Sequence, residues 1–197
     1  MISNVLSIPE SVNMIGEDNT KKVLSTYSCV LNGIQLNEEV EQFVRNNAVD
    51  FYKRKMSVTY LAFNEEDELS GIFTLTHKAI DIPAADMSNS QKRKINRFAL
   101  LDQDSDLFRA SAFLIAQFGK NYAVNDGLNI RGTELMESAM SVLHDAQEMV
   151  GGGLVYLECE EDNNKAYDFY IKCGFKEFDK RYSESDERYY ILMMKVF

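Results

Sequence analysis

Residues 109–175 constrain the fold of this chain more than any other stretch, because segments with distinct local preferences follow one another there. The apolar run 112–118 predicts a buried strand, and the polar turn 125–132 precedes a helix that begins near Thr133. After a glycine triplet, residues 154–159 predict a second strand, and another helix follows. This order of elements predicts strands and helices packed in one α/β arrangement.

The turn before Thr133 has the features of an anion-binding site. The first backbone N–H groups of a helix have no partner inside the helix, and the helix dipole adds positive potential there. A diphosphate can therefore bind without a lysine or an arginine. Gly132 lets a ligand approach the backbone closely, because glycine has no Cβ atom. An ordinary helix cap is the alternative interpretation.

A more specific pattern follows in the second helix. Residues 163–175 match N-x-x-A-x-x-F-Y-x-x-x-G-F. Here the chain resembles the GCN5-related N-acetyltransferases, the GNAT superfamily, which uses acetyl-CoA. The resemblance covers residues 20–197 in the order of elements and is specific in sequence over residues 113–175.

The resemblance implies roles for individual residues. Asn163 would contact the pantetheine arm, and Tyr170 would protonate the departing CoA thiolate. The family's diphosphate loop reads Q/R-x-x-G-x-G/A, and Ile130 stands where its first glycine would be, so polar neighbours take over contacts. The cofactor-binding residues implied at the helix start are Asn129, Arg131, Gly132 and Thr133.

Acetyl transfer from a thioester to an amine needs a polarised carbonyl, a base for the amine and an acid for the sulfur. We place the acyl carbonyl at the end of the central strand, beside Phe118, Gly119 and Lys120, where splayed strands would leave N–H groups unpaired. Gly119 would also remove a side chain from the ligand's path. The alternative is a strand end that simply turns.

Glu158 and Glu160 are candidates for the base, because the alternation of a strand places both on one face. A water relay is the rival, and solvated charge is the interpretation without function. Tyr170 is the candidate acid, with a packing tyrosine as the alternative. Asn163 has an alternative role as an N-cap.

The whole chain predicts an α/β (α+β) fold with a GNAT-like mixed, largely antiparallel sheet, splayed central parallel strands and helices on both faces. A single domain is expected over residues 1–197, with residues 84–106 as an insert at the rim of the substrate site or a plain surface excursion. Residues 1–19 are expected to form an irregular or short helical lead-in. The predicted strands are residues 22–30, 58–63, 69–79, 107–120, 154–159, 176–182 and 188–196. The predicted helices are residues 36 to about 55, 90–100, 133–149 and 164–173.

The net charge of −10 disfavours nucleic acid as a partner and favours a cationic amine. A basic cluster at residues 91–97 could bind an anion locally or form a solvated helix face. Cys29, Cys159 and Cys173 lack metal or disulfide spacing, so neither a metal nor a disulfide is expected. No apolar run is long enough to span a membrane and no signal peptide is visible, which predicts a cytoplasmic location.

These observations predict an N-acetyltransferase that transfers acetyl from acetyl-CoA directly to the primary amine of a small molecule or peptide. Residues 43–48, 59–63 and 71–76 resemble toxin-type acetyltransferases that modify aminoacyl-tRNA and pair with a DNA-binding antitoxin. A tRNA acceptor therefore stays open despite the acidic charge. A non-catalytic acetyl-CoA-binding module is the alternative from another class. The acceptor is not identified, and a homodimer through an edge strand stays open.

Overall fold

The computed structural model describes residues 1–85, 87–124 and 129–197. The chain divides into two compact units. Unit 1 comprises Met1–Thr76 and Ile115–Ser141, and unit 2 comprises His77–Leu114 and Val142–Phe197. The single domain over residues 1–197 stays a prediction.

Unit 1 begins with a strand that the sequence did not predict. β1 (Ile2–Ser7) leads into α1 (Ile8–Ile15), so the short helix expected in residues 1–19 is present and the strand before it was missed. Ser7 ends the strand and caps the helix: its hydroxyl accepts from the backbone N–H of Glu10, and its own N–H donates to the Glu10 carboxylate at 2.8 Å. This reciprocal cap sets the point where strand becomes helix.

The strand predicted over residues 22–30 is wrong. α2 (Glu17–Ser25) occupies the first four residues of that stretch, and residues 26–29 are in neither helix nor strand. Its buried residues Thr20 and Leu24 are four positions apart, which is the spacing of one helix face. β-branched and aromatic residues suggested a strand, but the packing of this face determines the structure. Only the short β2 (Val30–Leu31) falls in the predicted range, pairing with β3 (Ile34–Gln35).

The helix predicted from residue 36 to about 55 is confirmed as a continuous helical segment. It consists of α3 (Glu38–Gln42), a π-helical turn (Phe43–Asn47) and α4 (Ala48–Lys53). Asn37 caps its start, since the Asn37 side chain accepts from the backbone N–H of Val40 at 2.9 Å.

The strands of unit 1 follow the order β1-β4-β5-β7. β4 (Val58–Asn64) and the first part of β5 (Leu69–Pro83) form the predicted antiparallel hairpin, and β1 pairs antiparallel with β4. β7 (Leu107–Lys120) is the predicted central strand. The core of this unit is apolar and includes Ile8, Leu24, Tyr27, Val44, Leu61 and Ile72.

Unit 2 holds the remaining elements. They are α5 (Asn89–Ile95), β6 (Ala99–Asp102), β8 (Leu154–Glu160), α7 (Asn164–Lys172), β9 (Lys176–Ser183) and β10 (Arg188–Val196). α6 (Gly132–Val150) starts in unit 1 and ends in unit 2. The boundaries predicted for α6, β8, α7, β9 and β10 agree within one or two residues.

The sheet strands of unit 2 follow the order β7-β8-β10-β9, with β6 paired to β7. β7 and β8 are parallel at Phe113 with Val155 and Leu114 with Tyr156, whereas the pairs β8–β10, β9–β10 and β6–β7 are antiparallel. The prediction of a mixed, largely antiparallel sheet with a parallel pair is therefore confirmed.

The predicted insert, residues 84–106, is built into the core of unit 2. Its helix is shorter than predicted, and residues 99–102 form β6 instead. Ala84, Ile95 and Ala99 are buried in one apolar cluster with Phe108 and Tyr156. The segment is thus anchored by its apolar side chains, while its role at a substrate rim stays a prediction.

Candidate active site

The start of α6 binds a carboxylate from its own first turn. Residues 125–128 of the predicted anion-binding turn lie outside the described residues, but residues 129–132 lie within them. The backbone N–H of Arg131 donates to Oε2 of Glu134 at 3.0 Å, and its guanidinium Nη2 donates to Oε1 at 2.9 Å. These contacts, the backbone hydrogen bond first, lower the pKa of Glu134. The carboxylate is therefore ionised at neutral pH.

Ile130, at the position where the GNAT loop has its first glycine, is a core residue. Its side chain is buried, and a Cβ atom at Gly71 would lie only 2.9 Å from Ile130 Cδ1 and 3.1 Å from Leu135 Cδ2. Gly71 on β5 therefore makes room for Ile130 and Leu135 in the core of unit 1.

Asn129 and Thr133 flank this helix start. The side-chain oxygen of Asn129 is buried and has no hydrogen-bond partner among residues 1–85, 87–124 and 129–197. Buried polar atoms are normally satisfied, so Asn129 is a candidate for a contact with a bound molecule. Thr133 is exposed in the first turn of α6.

The end of β7 is packed against a tyrosine that the sequence prediction did not include. A Cβ atom at Gly119 would overlap the hydroxyl of Tyr27, a residue with 0% exposure. Burial raises the pKa of Tyr27 well above its usual value. The packing of Tyr27 therefore explains why residue 119 is a glycine, without any contact to a ligand. Phe118 and Lys120 on either side are half-buried.

Asn121 fixes the chain where β7 ends. It is buried, its side-chain oxygen accepts from the backbone N–H of Ser28 at 2.8 Å, and its amide nitrogen donates to the carbonyl of Leu69 at 2.6 Å. Lys120 lies beside it, with its ammonium 5.5 Å from the centre of the Tyr122 ring. A polar residue directly after a long apolar strand was the available sequence signal for Asn121.

In unit 2, the carboxylates of Glu158 and Glu160 are both paired with arginines. Nε of Arg181 lies 3.1 Å from Oε2 of Glu158, and Nη1 of Arg188 lies 3.1 Å from Oε1 of Glu160. The side chains of the two glutamates are 25% and 26% exposed. Both can accept a hydrogen bond, and a water relay stays the rival for the base.

Arg181 also packs against the ring of Tyr190. Its guanidinium carbon lies 4.9 Å from the centre of the Tyr190 ring, and the Tyr190 hydroxyl donates to Asp186 at 3.2 Å. The ion pair with Glu158 raises the pKa of Arg181. The orientation of Glu158 therefore depends on the β9–β10 hairpin.

Asn163 and Tyr170 lie at the start and toward the end of α7. The Asn163 side-chain oxygen accepts from the backbone N–H of Ala166 at 3.1 Å, so Asn163 caps the helix. The Tyr170 ring packs against Phe169 and Phe175, with centroids 5.4 and 6.2 Å apart. Burial, with a further contribution from nearby thiols, raises the pKa of Tyr170 well above its usual value. Its phenol is protonated at neutral pH.

The predicted site residues thus fall into two groups, and all residues of a group belong to the same unit. The strand-end and helix-start residues belong to unit 1, and Glu158, Glu160, Asn163 and Tyr170 belong to unit 2. Within the part of the chain that the structure describes, no group of three or more histidine, cysteine, aspartate or glutamate side chains could hold a metal ion. No helix in that part is long and apolar enough to cross a membrane.

Neither a protein-family model nor a curated protein matches the chain, but solved structures do. A tyrosine-to-phenylalanine mutant of KacT is 16% identical, with a TM-score of 0.65 over 100% of this chain and 95% of that chain. The chain has the GNAT-like fold. AtaTR bound with AcCoA is 15% identical, with a TM-score of 0.58 over 98% and 92% of the two chains. AtaT complexed with acetyl-methionyl-tRNAfMet is 18% identical, with a TM-score of 0.57 over 85% of each chain.

Proposed function

We propose that this GNAT-like chain is an N-acetyltransferase that transfers acetyl from acetyl-CoA directly to a primary amine. A shared fold alone does not establish chemistry, so the proposal needs support from the site. The observation that carries it is the start of α6, where the backbone N–H and guanidinium of Arg131 already bind an oxyanion, the Glu134 carboxylate. A diphosphate offers the same kind of oxygen acceptors to the same donors.

The cofactor would be held mainly at this helix start. Gly132 and Thr133 supply backbone N–H groups of the first turn, and Arg131 supplies a guanidinium that is 77% exposed. The buried side-chain oxygen of Asn129 would accept from an N–H of the bound molecule. Asn163 would contact the pantetheine arm through its amide nitrogen, because its oxygen is used in the helix cap. The AtaTR structure bound with AcCoA supports this choice of cofactor.

Acetyl transfer would give each of the predicted residues a separate chemical role. Acetyl-CoA supplies an electrophilic thioester carbonyl, and a backbone N–H group at the strand end formed by Phe118, Gly119 and Lys120 would donate to its oxygen as negative charge develops. The amine nitrogen forms a bond to the carbonyl carbon, and the carbon–sulfur bond breaks. Tyr170 is protonated and would give its proton to the leaving thiolate.

The proton lost by the amine would be accepted by a carboxylate of β8 or by a water relayed to one. Glu158 is the better placed of the two candidates, because Arg181 contacts its Oε2 and the hairpin fixes that arginine. Glu160 shares the face and is the second candidate.

A second candidate function is acetylation of aminoacyl-tRNA by a toxin, with an antitoxin as partner. The α-amino group of aminoacyl-tRNA is a primary amine, so the chemistry is unchanged. AtaT complexed with acetyl-methionyl-tRNAfMet and AtaT bound to the antitoxin AtaR support it by likeness of fold. On this chain, the observation that favours it is the exposed basic cluster of Arg93, Lys94 and Arg97 at α5. The net charge of −10 opposes it.

Isothermal titration with acetyl-CoA, followed by a thiol-release assay with a panel of amines, tests these functions. The panel contains a polyamine, free amino acids, a peptide with a free N-terminus and methionyl-tRNA. Saturable binding and amine-dependent thiol release are expected. Binding with no thiol release for any amine would favour the non-catalytic module, and absence of binding would contradict the proposal.

The tRNA candidate needs its own control. Replacing Arg93 and Lys94 together with glutamine should raise KM for methionyl-tRNA and leave KM for methionine methyl ester unchanged. Equal effects on both substrates would remove the basic cluster from the function.

A further inference from the structure

A buried carboxylate on the helical segment 38–53 holds a loop of unit 1 in place together with an arginine. Glu41 is 8% exposed, and its Oε1 lies 2.7 Å from Nη1 of Arg45, four positions further on. Oε2 of Glu41 accepts from the backbone N–H of Cys29 at 2.7 Å, and Nε of Arg45 donates to the carbonyl of Tyr27 at 2.7 Å. The two side chains therefore fix this loop at two points, although the loop is in neither helix nor strand.

The same loop is also attached to the residues that follow β7. The side-chain oxygen of Asn121 accepts from the backbone N–H of Ser28 at 2.8 Å, and the backbone N–H of Tyr122 donates to the carbonyl of Ser28 at 2.8 Å. Next to these attachments, the hydroxyl of Tyr27 occupies the space that a Cβ atom at Gly119 would need. All these residues belong to unit 1. The ion pair therefore fixes Tyr27, and Tyr27 limits where the backbone of Gly119 can lie.

The helical turn that carries Arg45 has an uncommon backbone. Phe43–Asn47 is a π-helical turn, and Ala48 at its end donates its backbone N–H to the carbonyl of Phe43, five positions back. Such turns are rare and occur frequently at functional sites. A partly buried ion pair contributes little net stability, because the cost of removing two charges from water offsets their attraction. A fixed geometry therefore accounts for this arrangement better than stability does.

We propose that Glu41 and Arg45 are positioning residues for acetyl transfer. Through Tyr27 they hold the backbone at Gly119, so that a backbone N–H group of the strand end meets the thioester oxygen as negative charge develops. Such a donor accelerates the reaction only if it is already directed at the place that the charged oxygen occupies. A small displacement of the strand end therefore lowers kcat more than it weakens binding. This inference rests on the proposed function, because it assumes that the acyl carbonyl binds at the end of β7.

The critical variant is Arg45→Lys, which keeps a positive charge near Glu41. A compact ammonium on a flexible stem does not reproduce the two directed contacts of the guanidinium with Glu41 and with the carbonyl of Tyr27. Arg54→Lys is the matched control, because Arg54 forms an exposed pair with Asp50 at the same four-residue spacing. With the best amine of the panel, kcat should fall about five- to tenfold in Arg45→Lys, which is less than the loss of a whole donor causes, and the Kd for acetyl-CoA should change less than about twofold. The control should change neither quantity.

Three further measurements separate positioning from a general loss of stability. Ser7→Ala removes the side-chain cap of α1, so it lowers stability elsewhere in unit 1 and should leave kcat unchanged. Tyr27→Phe removes the hydroxyl that lies against Gly119, so Arg45→Lys should lower kcat by less than about twofold in that background. Labelling with 15N-glycine reports the same contact in the free protein. The NMR signal of Gly119 should shift in Arg45→Lys and stay unchanged in Arg54→Lys.

Glu41→Gln is the second variant, used if thermal unfolding shows that Arg45→Lys is not folded. It keeps an oxygen for the N–H of Cys29 but loses the charge that pairs with Arg45, so kcat should fall in the same way. If neither variant folds, the ion pair is a requirement of the fold and the inference is wrong.

The remaining outcomes distinguish this inference from the proposed function. If wild-type protein releases thiol but Arg45→Lys has the kcat of Arg54→Lys, or if the Kd for acetyl-CoA rises as much as kcat falls, the ion pair is only structural and the inference is wrong. An equal loss of kcat in Ser7→Ala, or additive effects of Arg45→Lys and Tyr27→Phe, would also overturn it. If the wild type releases no thiol with any amine, the proposed function itself fails, and the inference fails with it.

Discussion

Replacing Gly119 with alanine tests how the end of β7 is built. The added Cβ atom would overlap the hydroxyl of Tyr27, whose side chain has 0% exposure and cannot rotate into solvent. The backbone of Gly119 is not in the left-handed region, so strain comes from the overlap and not from φ. Overpacking of this kind costs about 1–3 kcal/mol. For a chain of this size, 2 kcal/mol lowers Tm by about 4–8 °C.

Urea and thermal unfolding of Gly119→Ala, Tyr27→Phe and the double variant measure this cost. Tyr27→Phe loses the contact of its hydroxyl with Cys29 Sγ at 3.6 Å, which is weak, so its cost should be about 0.5–1.5 kcal/mol. In the double variant the overlap is relieved, and the free energy of unfolding should exceed the additive value by about 1 kcal/mol or more. Wild-type stability of Gly119→Ala, or strict additivity, would refute the argument.

Three further predictions concern other elements. Hydrogen bonds from Ser7 lower the pKa of Glu10, so the stability they contribute is complete above the unfolded value near 4.3 and is lost as the pH falls through the folded pKa. The deficit of Glu10→Gln in unfolding free energy at pH 7 should therefore shrink as the pH is lowered below about 4, and a deficit that stays constant into acid would contradict it. Asn163→Asp keeps the cap on Ala166 but removes the amide donor, so this variant should keep its stability and bind acetyl-CoA more weakly. Asn163→Ala should bind acetyl-CoA more weakly and also lose about 1 kcal/mol of stability, because the cap is lost. If Asn163→Asp bound acetyl-CoA as tightly as the wild type, Asn163 would make no contact with the pantetheine arm. Glu158→Gln should lower kcat for the amine with the Kd for acetyl-CoA unchanged, and unchanged kcat would leave a water relay without Glu158 as the route for the proton.

The sequence predicted the elements from β7 to β10 well, because long apolar runs, and glycines directly after α6 and after α7, make their periods unambiguous. It failed at α2, where β-branched and aromatic residues suggested a strand. The spacing of Thr20 and Leu24, and the Glu17–Lys21 ion pair across one turn at 2.6 Å, were the helical signals in the same residues. β1 was missed because its stability comes from pairing with β4, a partner more than fifty residues away in sequence.

In the candidate site, too, contacts between residues close in sequence could be predicted, and contacts between distant residues could not. The spacing of Arg131 and Glu134 is visible in the sequence, and a first-turn glutamate reaching back is a known capping pattern. By contrast, the partner of Gly119 is Tyr27, and the partners of Gly71 are Ile130 and Leu135. Such distant neighbours leave no local pattern, so a glycine that makes room for a side chain cannot be told from one that makes room for a ligand.

Thiol release from acetyl-CoA by wild-type protein and by Tyr170→Phe tests the central claim most directly. The variant removes the hydroxyl and keeps the ring that packs against Phe169 and Phe175. With the best amine of the panel, we expect kcat to fall by about a hundredfold or more, as is typical of general acid catalysis, and the Kd for acetyl-CoA to change little. An unchanged kcat would remove Tyr170 from the reaction and contradict the proposed mechanism.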